Sequence, residues 1–471
     1  MGMMRRFLAG GVVLALAGPA WASGPIEITD AKDKQIVESF LKHVDNVPNQ
    51  ITADACKKKA ADEPEGFTWE INPVAAMPLT AYEMTGDVKY LDMFVQVFDT
   101  MRSAMTTGPG GYLDWYGKPL PLFQDPAHPD LKVPVMITGY STSAMIAHFV
   151  ELVRAEPALK AKFGGKAAQY LDLAEHQLIR KWETGGPFGL AQGRPEEDRM
   201  GGNFVDLGHT GAIFRTETGL VEVKSSLTQP HNKHSIIINA YLQLYRVTGN
   251  DDYMKKAILI GTRYKHSLHL NNGHYEWNYW DPAGAWDVKP GSSNEWKEWI
   301  GPEHTGGYYN STLSQAVRLY EFGVVFDKTD MERFVKTQVT ECWNGSMDNP
   351  QWARVDGTRP ERYTNGEYMC AGLAAFNDKV AEFCYGPRGQ SERLKGLEHN
   401  WQGGPVARGW IAGKYIELPR MKGGVQADIE FGQKFLSKPE NRAWYDALAF
   451  TVEPPGYVAP QTPSEMKNMP K

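Results

Sequence analysis

Tyr82-Glu83-Met84-Thr85-Gly86-Asp87-Val88-Lys89-Tyr90-Leu91 and Tyr245-Arg246-Val247-Thr248-Gly249-Asn250-Asp251-Asp252-Tyr253-Met254 carry the same chemistry position by position. Each follows an apolar run of helical period and precedes another. Gly86 and Gly249 suit the left-handed residue that ends a helix, and Asp87 and Asn250 suit the N-cap of the next. Both stretches therefore predict two helices joined by a tight turn. Looser hairpins follow the same plan. Ser141 to Arg154 pairs with Gly165 to Trp182, and Ser311 to Val325 with Thr329 to Trp343. Glu367 to Cys384 begins another, and Gln426 to Leu436 pairs with Asn441 to Phe450. Lys32 to Val44, with Ile36, Val37, Phe40, Leu41 and Val44 on one stripe, predicts an amphipathic helix near the start. Strand signals are weak, Leu220 to Ser225 being one candidate arm of a small hairpin. The pattern predicts an all-α fold, an (α/α) toroid of about five to seven helical hairpins with long active-site loops at one rim.

This architecture gives the unusual residues a common place. Polar and aromatic groups stand before the first helix of each hairpin: Trp69, Glu70 and Asn72; Tyr140, Ser141 and Thr142; His231 to His234; His304 to Asn310; Tyr363, Asn365 and Tyr368. Parallel inner helices would gather all five sets at one rim, with their positive dipole ends, a setting that suits an anionic ligand. Ordinary capping explains the Asn, Ser and Thr; it does not call for His, Tyr and Trp as well. Seven of the twelve histidines lie between His209 and His304, and five of the fourteen tryptophans between Trp277 and Trp299. That block is the expected working site.

Residues 1–22 look like an export signal: Arg5 and Arg6, the apolar run Phe7 to Ala17, and Ala20-Trp21-Ala22 before Ser23. The expected organisation is thus 1–22 signal peptide, 23–452 toroid and 453–471 Pro-rich tail, with the protein periplasmic or secreted and no membrane partner after signal cleavage. Removing the signal takes two of the 50 basic residues and none of the 56 acidic ones, leaving a net charge of −8. Such a balance argues against nucleic acid as partner, because phosphate binding needs a basic face. A polyanionic sugar is still admissible, since a cleft can be locally positive on an acidic protein. Cys56, Cys342, Cys370 and Cys384 lack CxxC spacing. They fit either disulfides or buried thiols.

Aromatic density in a cleft suggests sugar stacking, with Trp69, Trp115, Tyr116, Trp277, Tyr279 and Trp280 as candidates beside their alternative as core. Cleavage of a uronic acid polymer by elimination asks for three things: a partner for the sugar carboxylate, a base at C5, and an acid for the departing O4. Asn232 and His234 on one helix start, with Tyr308 or Tyr309 and His304 on the next, supply these types. His231, Lys233, Glu303 and Arg215 are candidate carboxylate partners; Tyr140, Trp69, Glu276, Trp277, Asn278 and Trp280 are candidate substrate contacts.

Asn232-Lys233-His234, together with Gln229-Pro230-His231, His274-Tyr275-Glu276-Trp277-Asn278-Tyr279-Trp280-Asp281-Pro282-Ala283-Gly284 and Gly301-Pro302-Glu303-His304-Thr305-Gly306-Gly307-Tyr308-Tyr309, resembles the α/α-toroid polysaccharide lyases, most of all polysaccharide lyase family 38. The likeness covers roughly Asn203 to Asp356 (the rest matches by architecture). It implies an Asn–His pair and a Tyr as catalytic groups, alginate or glucuronan as substrate, an anionic polysaccharide as partner, and no required cofactor. Where such families often carry an Arg shortly before the Tyr, this chain has Glu303 and Thr305. Rival readings are a glycoside hydrolase built on carboxylates such as Glu276, Glu303, Asp206 and Asp281, a uronate C5-epimerase, and a non-catalytic glycan-binding protein. His266, His269 and His274 have spacing that could hold a structural metal; histidines near a helix C-terminus also serve the dipole.

Overall fold

The computed structural model describes residues 25–108, 111–118, 130, 132–183, 204–215, 227–289, 291–292, 295–358, 369–386, 403–422, 428–448 and 450. The expected signal, the tail, the strand at Leu220 to Ser225 and the rim residues Tyr363, Asn365 and Tyr368 lie outside them. Within them the chain is mostly helical. Its main helices are α1 Ala31–Asp45, α2 Ala53–Asp62, α3 Met77–Thr85, α4 Lys89–Arg102, α5 Met136–Ala155, α6 Pro157–Asp172 and α7 His231–Thr248. They continue with α8 Asp251–His266, α9 Gly307–Glu321, α10 Lys328–Lys336, α11 Asp378–Tyr385, α12 Gly403–Ile411, α13 Ile429–Leu436 and α14 Pro439–Asp446. Three antiparallel ribbons interrupt them: β1 Thr106–Thr107 with β2 Leu113–Asp114, β3 Phe204–Asp206 with β4 Ala212–Phe214, and β5 His269–Asn271 with β6 His274–Glu276.

The repeated turn is a repeat of hydrogen bonds. Gly86 and Gly249 both sit at φ +68°, and their amides donate to Tyr82 O at 2.7 Å and Tyr245 O at 2.8 Å. Before each glycine a threonine donates back to the helix, Thr85 to Ala81 O and Thr248 to Leu244 O, both at 2.7 Å. The same hydroxyls accept the amides of Asp87 and Asn250 at 3.1 Å. Asp87 and Asn250 then accept from Lys89 N at 2.9 Å and Asp252 N at 3.1 Å, starting α4 and α8. The left-handed backbone there costs a non-glycine residue about 1 kcal/mol.

Side-chain patterning sorts the helices into two kinds. α4 buries Tyr90, Leu91, Phe94, Val97, Phe98 and Met101 along one stripe and leaves the rest to water. α5 and α7 are buried on more than one face, because each is flanked on several sides. α5 packs on α6 and α7, and α7 on α5, α8 and α9. The contacts form a circuit. Phe67–Ile71 and Asn72–Ala75 pack on α5, α5 on α7, α7 on α9, and α9 on the turn Ala371–Ala375. That turn packs on Leu418–Lys422, and the preceding α12 packs back on α3 and Asn72–Ala75. Each fully buried Phe, Leu or Ile in these seams contributes about 1.5–3 kcal/mol. Buried Asp428, just before α13, ties the late elements to α7 and α9: Arg246 lies 3.5 Å away, Arg318 3.2 Å and Arg420 3.3 Å. Sequence patterning missed α12, which is rich in glycine. Among the described residues no helix is long and apolar enough to cross a membrane.

Candidate functional site

The mouth of α9 is built by an extended run. Glu303 N donates to Trp277 O at 3.1 Å, and Val355 N donates to Glu303 O at 3.0 Å, so Gly301 to His304 lies between two neighbouring strand-like segments. Extended backbone sends successive side chains to opposite faces. Glu303 goes inward, where the Trp277 indole donates to one carboxylate oxygen and Thr312 donates to the other at 2.9 Å. Burial raises its pKa to about 8, outweighing both donors, so the acid is largely protonated at neutral pH. The next side chain, His304, is half-buried, and its Nδ1 donates to Thr305 O at 2.7 Å. That bond fixes the tautomer of the neutral ring and leaves Nε2 as the acceptor.

α9 then begins at Gly307. One helical step separates Tyr308 from Tyr309, enough to send them to different worlds. Tyr308 is 56% exposed, and its ring stacks on Tyr279 with centroids 5.8 Å apart. Tyr309 is fully buried, stacked on Trp277 and donating to Gln338 Oε1 at 3.1 Å. Burial raises the pKa of the Tyr279 hydroxyl, and the field of Tyr308, Glu298, Glu303 and Glu65 pushes the same way. Glu65 is buried and comes from the segment before Phe67–Ile71. It accepts from Trp69 Nε1 at 3.0 Å and stands 3.6 Å from Lys233 Nζ, in the first turn of α7. Among the described residues four large apolar or aromatic side chains stay exposed, and Trp69, Tyr308 and Trp299 are three of them. Arg354, bridged to His304, lies over the Trp299 ring at 5.8 Å.

Other helix starts are tied together below this surface. Asn72 donates to Ser141 Oγ at 2.7 Å and Thr142 Oγ1 at 3.0 Å, and Ser235 meets Ser314 at 2.9 Å. Of the five sequence-predicted sets, Tyr140, Ser141 and Thr142 lie inside α5, which begins at Met136, and not before it; His231 to His234 form the first turn of α7; and Tyr363, Asn365 and Tyr368 lie outside the described residues.

Several expected contacts are sealed inside. His234 is buried, and its Nε2 accepts the Phe214 amide at 2.9 Å from β4. Burial, then the charges of His231 and Arg263, hold its pKa well below the usual histidine range. A buried ring whose lone pair is committed to backbone is not placed as the expected base, so His234 reads here as a brace for β4. His231 pairs with Asp281 at 3.1 Å, and Asn278 donates to the same carboxylate at 2.9 Å. Burial pushes the Asp281 carboxyl up, but its bond to His231 and that ring's charge bring it below the usual value. Asn232 is also buried. Tyr140 meets Tyr241 OH at 2.9 Å in the core, and Trp280 donates to Thr228 O at 2.7 Å. Trp277 is spent on Glu303, and Trp115 and Tyr116 are buried. Arg215 is buried with its guanidinium 5.3 Å from the Trp286 ring centre. Glu276 accepts from Asn271 at 2.7 Å across the β5–β6 ribbon and meets His274, two residues before it on β6, at 3.1 Å. Among the described residues no group of three or more His, Cys, Asp or Glu is placed to hold a metal.

Glu65, Trp299 and Arg354 were not predicted. Glu65 and Trp69 are four apart in sequence, a spacing that could have flagged the pair; Arg354 offers no local signal, since only folding brings it to His304. A scan against protein-family models found no match, a search of curated proteins found none, and a search of solved structures found none.

Proposed function

We propose that the protein is a polysaccharide lyase that cleaves a 1,4-linked polyuronate by β-elimination at the mouth of α9, on a helical circuit closed as an (α/α) toroid. The supporting observations are an exposed Tyr308, a half-buried His304 with Nε2 as acceptor, and Tyr279, which stacks on Tyr308 and feels the charge of Glu65, the partner of Lys233 and Trp69. In this reading the chain lies over Trp69 and Trp299, and the uronate carboxylate faces Lys233 and the helix N-termini. His304 Nε2 takes the C5 proton. The C5–H electron pair forms the C4–C5 double bond, the C4–O4 bond breaks, and Tyr308 gives its proton to the departing O4. Buried Glu303 positions this end through Trp277 and Thr312.

One observation favours a second reading. Glu303, raised to about 8, has the property of a general acid, and a hydrolase would pair it with a second carboxylate such as Glu65. Product chemistry separates the two. The protein is incubated with glucuronan, polymannuronate, polyguluronate and polygalacturonate. Elimination produces an ultraviolet-absorbing unsaturated uronate. New reducing ends without that absorbance would establish hydrolysis instead, and the absence of both would refute an enzyme acting on these polymers.

A further inference from the structure

We propose that the cavity enclosed by α3, α5, α7, α9 and α12 is a second ligand site, which takes a monosaccharide-sized sugar acid with its carboxylate on Arg408. The cavity measures about 350 Å³, at the small end of the range for small-molecule sites. It begins among Thr68, Asn72 and Ser141 and runs from there along the helices. Ser141, Met145, His148 and Glu151 descend one face of α5, and Asn239, Gln243 and Arg246 descend one face of α7. From Met145 on α5 and from Ile237 on α7, the other buried residues are apolar or tyrosine. A polar stripe turned inward is costly unless polar groups or water answer it.

Most charges around the cavity already have partners. Glu83 lies 3.3 Å from His148, Arg246 pairs with Glu151, and Asp428 takes Arg318 at 3.2 Å and Arg420 at 3.3 Å. Arg408 differs. Its Nε donates to Thr80 Oγ1 at 3.2 Å, and among the described residues no carboxylate lies within 4.0 Å of it. Burial lowers its pKa, while Glu83 and Glu417 pull it back from a greater distance. A guanidinium this deep ordinarily has a carboxylate on its fork. Arg408 keeps some accessible surface and lines the cavity. A ligand carboxylate can take both parallel N–H groups. Asn239, Gln243 and Glu417 on the same wall offer donors and acceptors for ring hydroxyls. One unmatched cation in a space this small selects a single acid group on a small ring, not a polymer. The cavity lining includes Thr68, next to Trp69 in sequence, with Asn72 and Ser141, so substitution has to separate its occupancy from binding at the Trp69 surface.

The test is isothermal titration calorimetry of the full chain with glucuronate, with glucose as the neutral control. The expected result is one glucuronate per chain, with glucose at least tenfold weaker. Arg408→Gln should weaken glucuronate at least tenfold, and Asn239→Leu, which alters the wall without touching its charge, should also weaken it. Trp69→Ala in the cleft should leave this binding unchanged. A melting curve for each variant confirms folding, and Asn239→Leu carries the test if Arg408→Gln does not fold. No binding to the parent protein, equal binding of glucose, or full binding by the folded cavity variants would overturn the proposal. Loss in Trp69→Ala alone would assign the ligand to the cleft.

Discussion

The mouths of α7 and α9 offer similar residue types and opposite accessibilities. At α7, His231, Asn232 and His234 are all buried, and the two rings are held by Asp281 and by the Phe214 amide. Only Lys233 keeps some exposure, with its amine beside buried Glu65. At α9, Tyr308 stands in solvent and His304 is half-buried with Nε2 as acceptor. The difference comes from what is laid over each helix start. β4 and the Trp277–Asp281 segment meet the α7 mouth, whereas the run before α9 buries Glu303 and Thr305 and leaves His304 half-buried. A histidine at a helix mouth is therefore a reagent or a brace according to the loop above it.

The largest expected effect tests that division directly. Tyr308→Phe should lower turnover on the cleaved polyuronate about 10²–10⁴-fold, the usual worth of a placed proton donor, with an unchanged melting temperature. Tyr309→Phe and His234→Ala should do the reverse. Losing the bond to Gln338 costs about 1 kcal/mol of stability, and orphaning the Phe214 amide about 1–3 kcal/mol, while turnover stays within a few-fold. Activity assays and denaturant melts on the three variants give both readings. If Tyr309→Phe is dead and Tyr308→Phe active, the two mouths have been assigned the wrong way round.

Glu303 sharpens the comparison on the α9 side, where the inward face is as closed as anything at α7. Its folded pKa of about 8 lies above the reference value of 4.5, so the folded state holds a proton that the unfolded state has lost. Stability is then unaffected below about pH 4.5 and falls as pH rises toward 8, by up to about 1.4 kcal/mol per unit of pH. Glu303→Gln removes the titration. Its melting temperature relative to the parent should rise progressively from about pH 5 to about pH 8. A constant difference across that range would mean that Glu303 is ionised in the fold.

Much of the framework was legible in the chain, for a local reason. The Thr-Gly-Asp/Asn turns are complete within a few residues, so their hydrogen bonds could be inferred before any tertiary contact was known. The stripe of α4 was equally local. Site residues were legible as types and not as exposures. Tyr308 and Tyr309 are the same residue one step apart, and only the Trp277 and Gln338 side chains decide which is buried. Arg354 and Glu65 enter the cleft from elements far from α9 in sequence, and no periodicity announces such a meeting. α12 escaped because Gly403, Gly404 and Gly409 speak against a helix locally, whereas its packing on α1, α3 and Asn72–Ala75 stabilises one.

Lys233 is the one residue of His231–His234 that keeps some exposure, and its removal is expected to move activity less than Tyr308→Phe does. The pair with Glu65 is 3.6 Å long and mostly buried, the two side chains being 15% and 9% exposed, so Lys233→Ala, which takes this cation from Glu65, should cost about 3 kcal/mol of stability. Its worth to activity lies in attracting an anionic chain. The KM for the polyuronate should rise several-fold, with kcat changed much less, because the charge acts on bound ground state and transition state alike. Added salt should raise the parent's KM and have a smaller influence on the variant's, since screening cancels what the variant already lacks. Parallel KM measurements at low and high salt decide it. Equal salt dependence in both would remove Lys233 from substrate attraction and leave the α7 mouth purely structural.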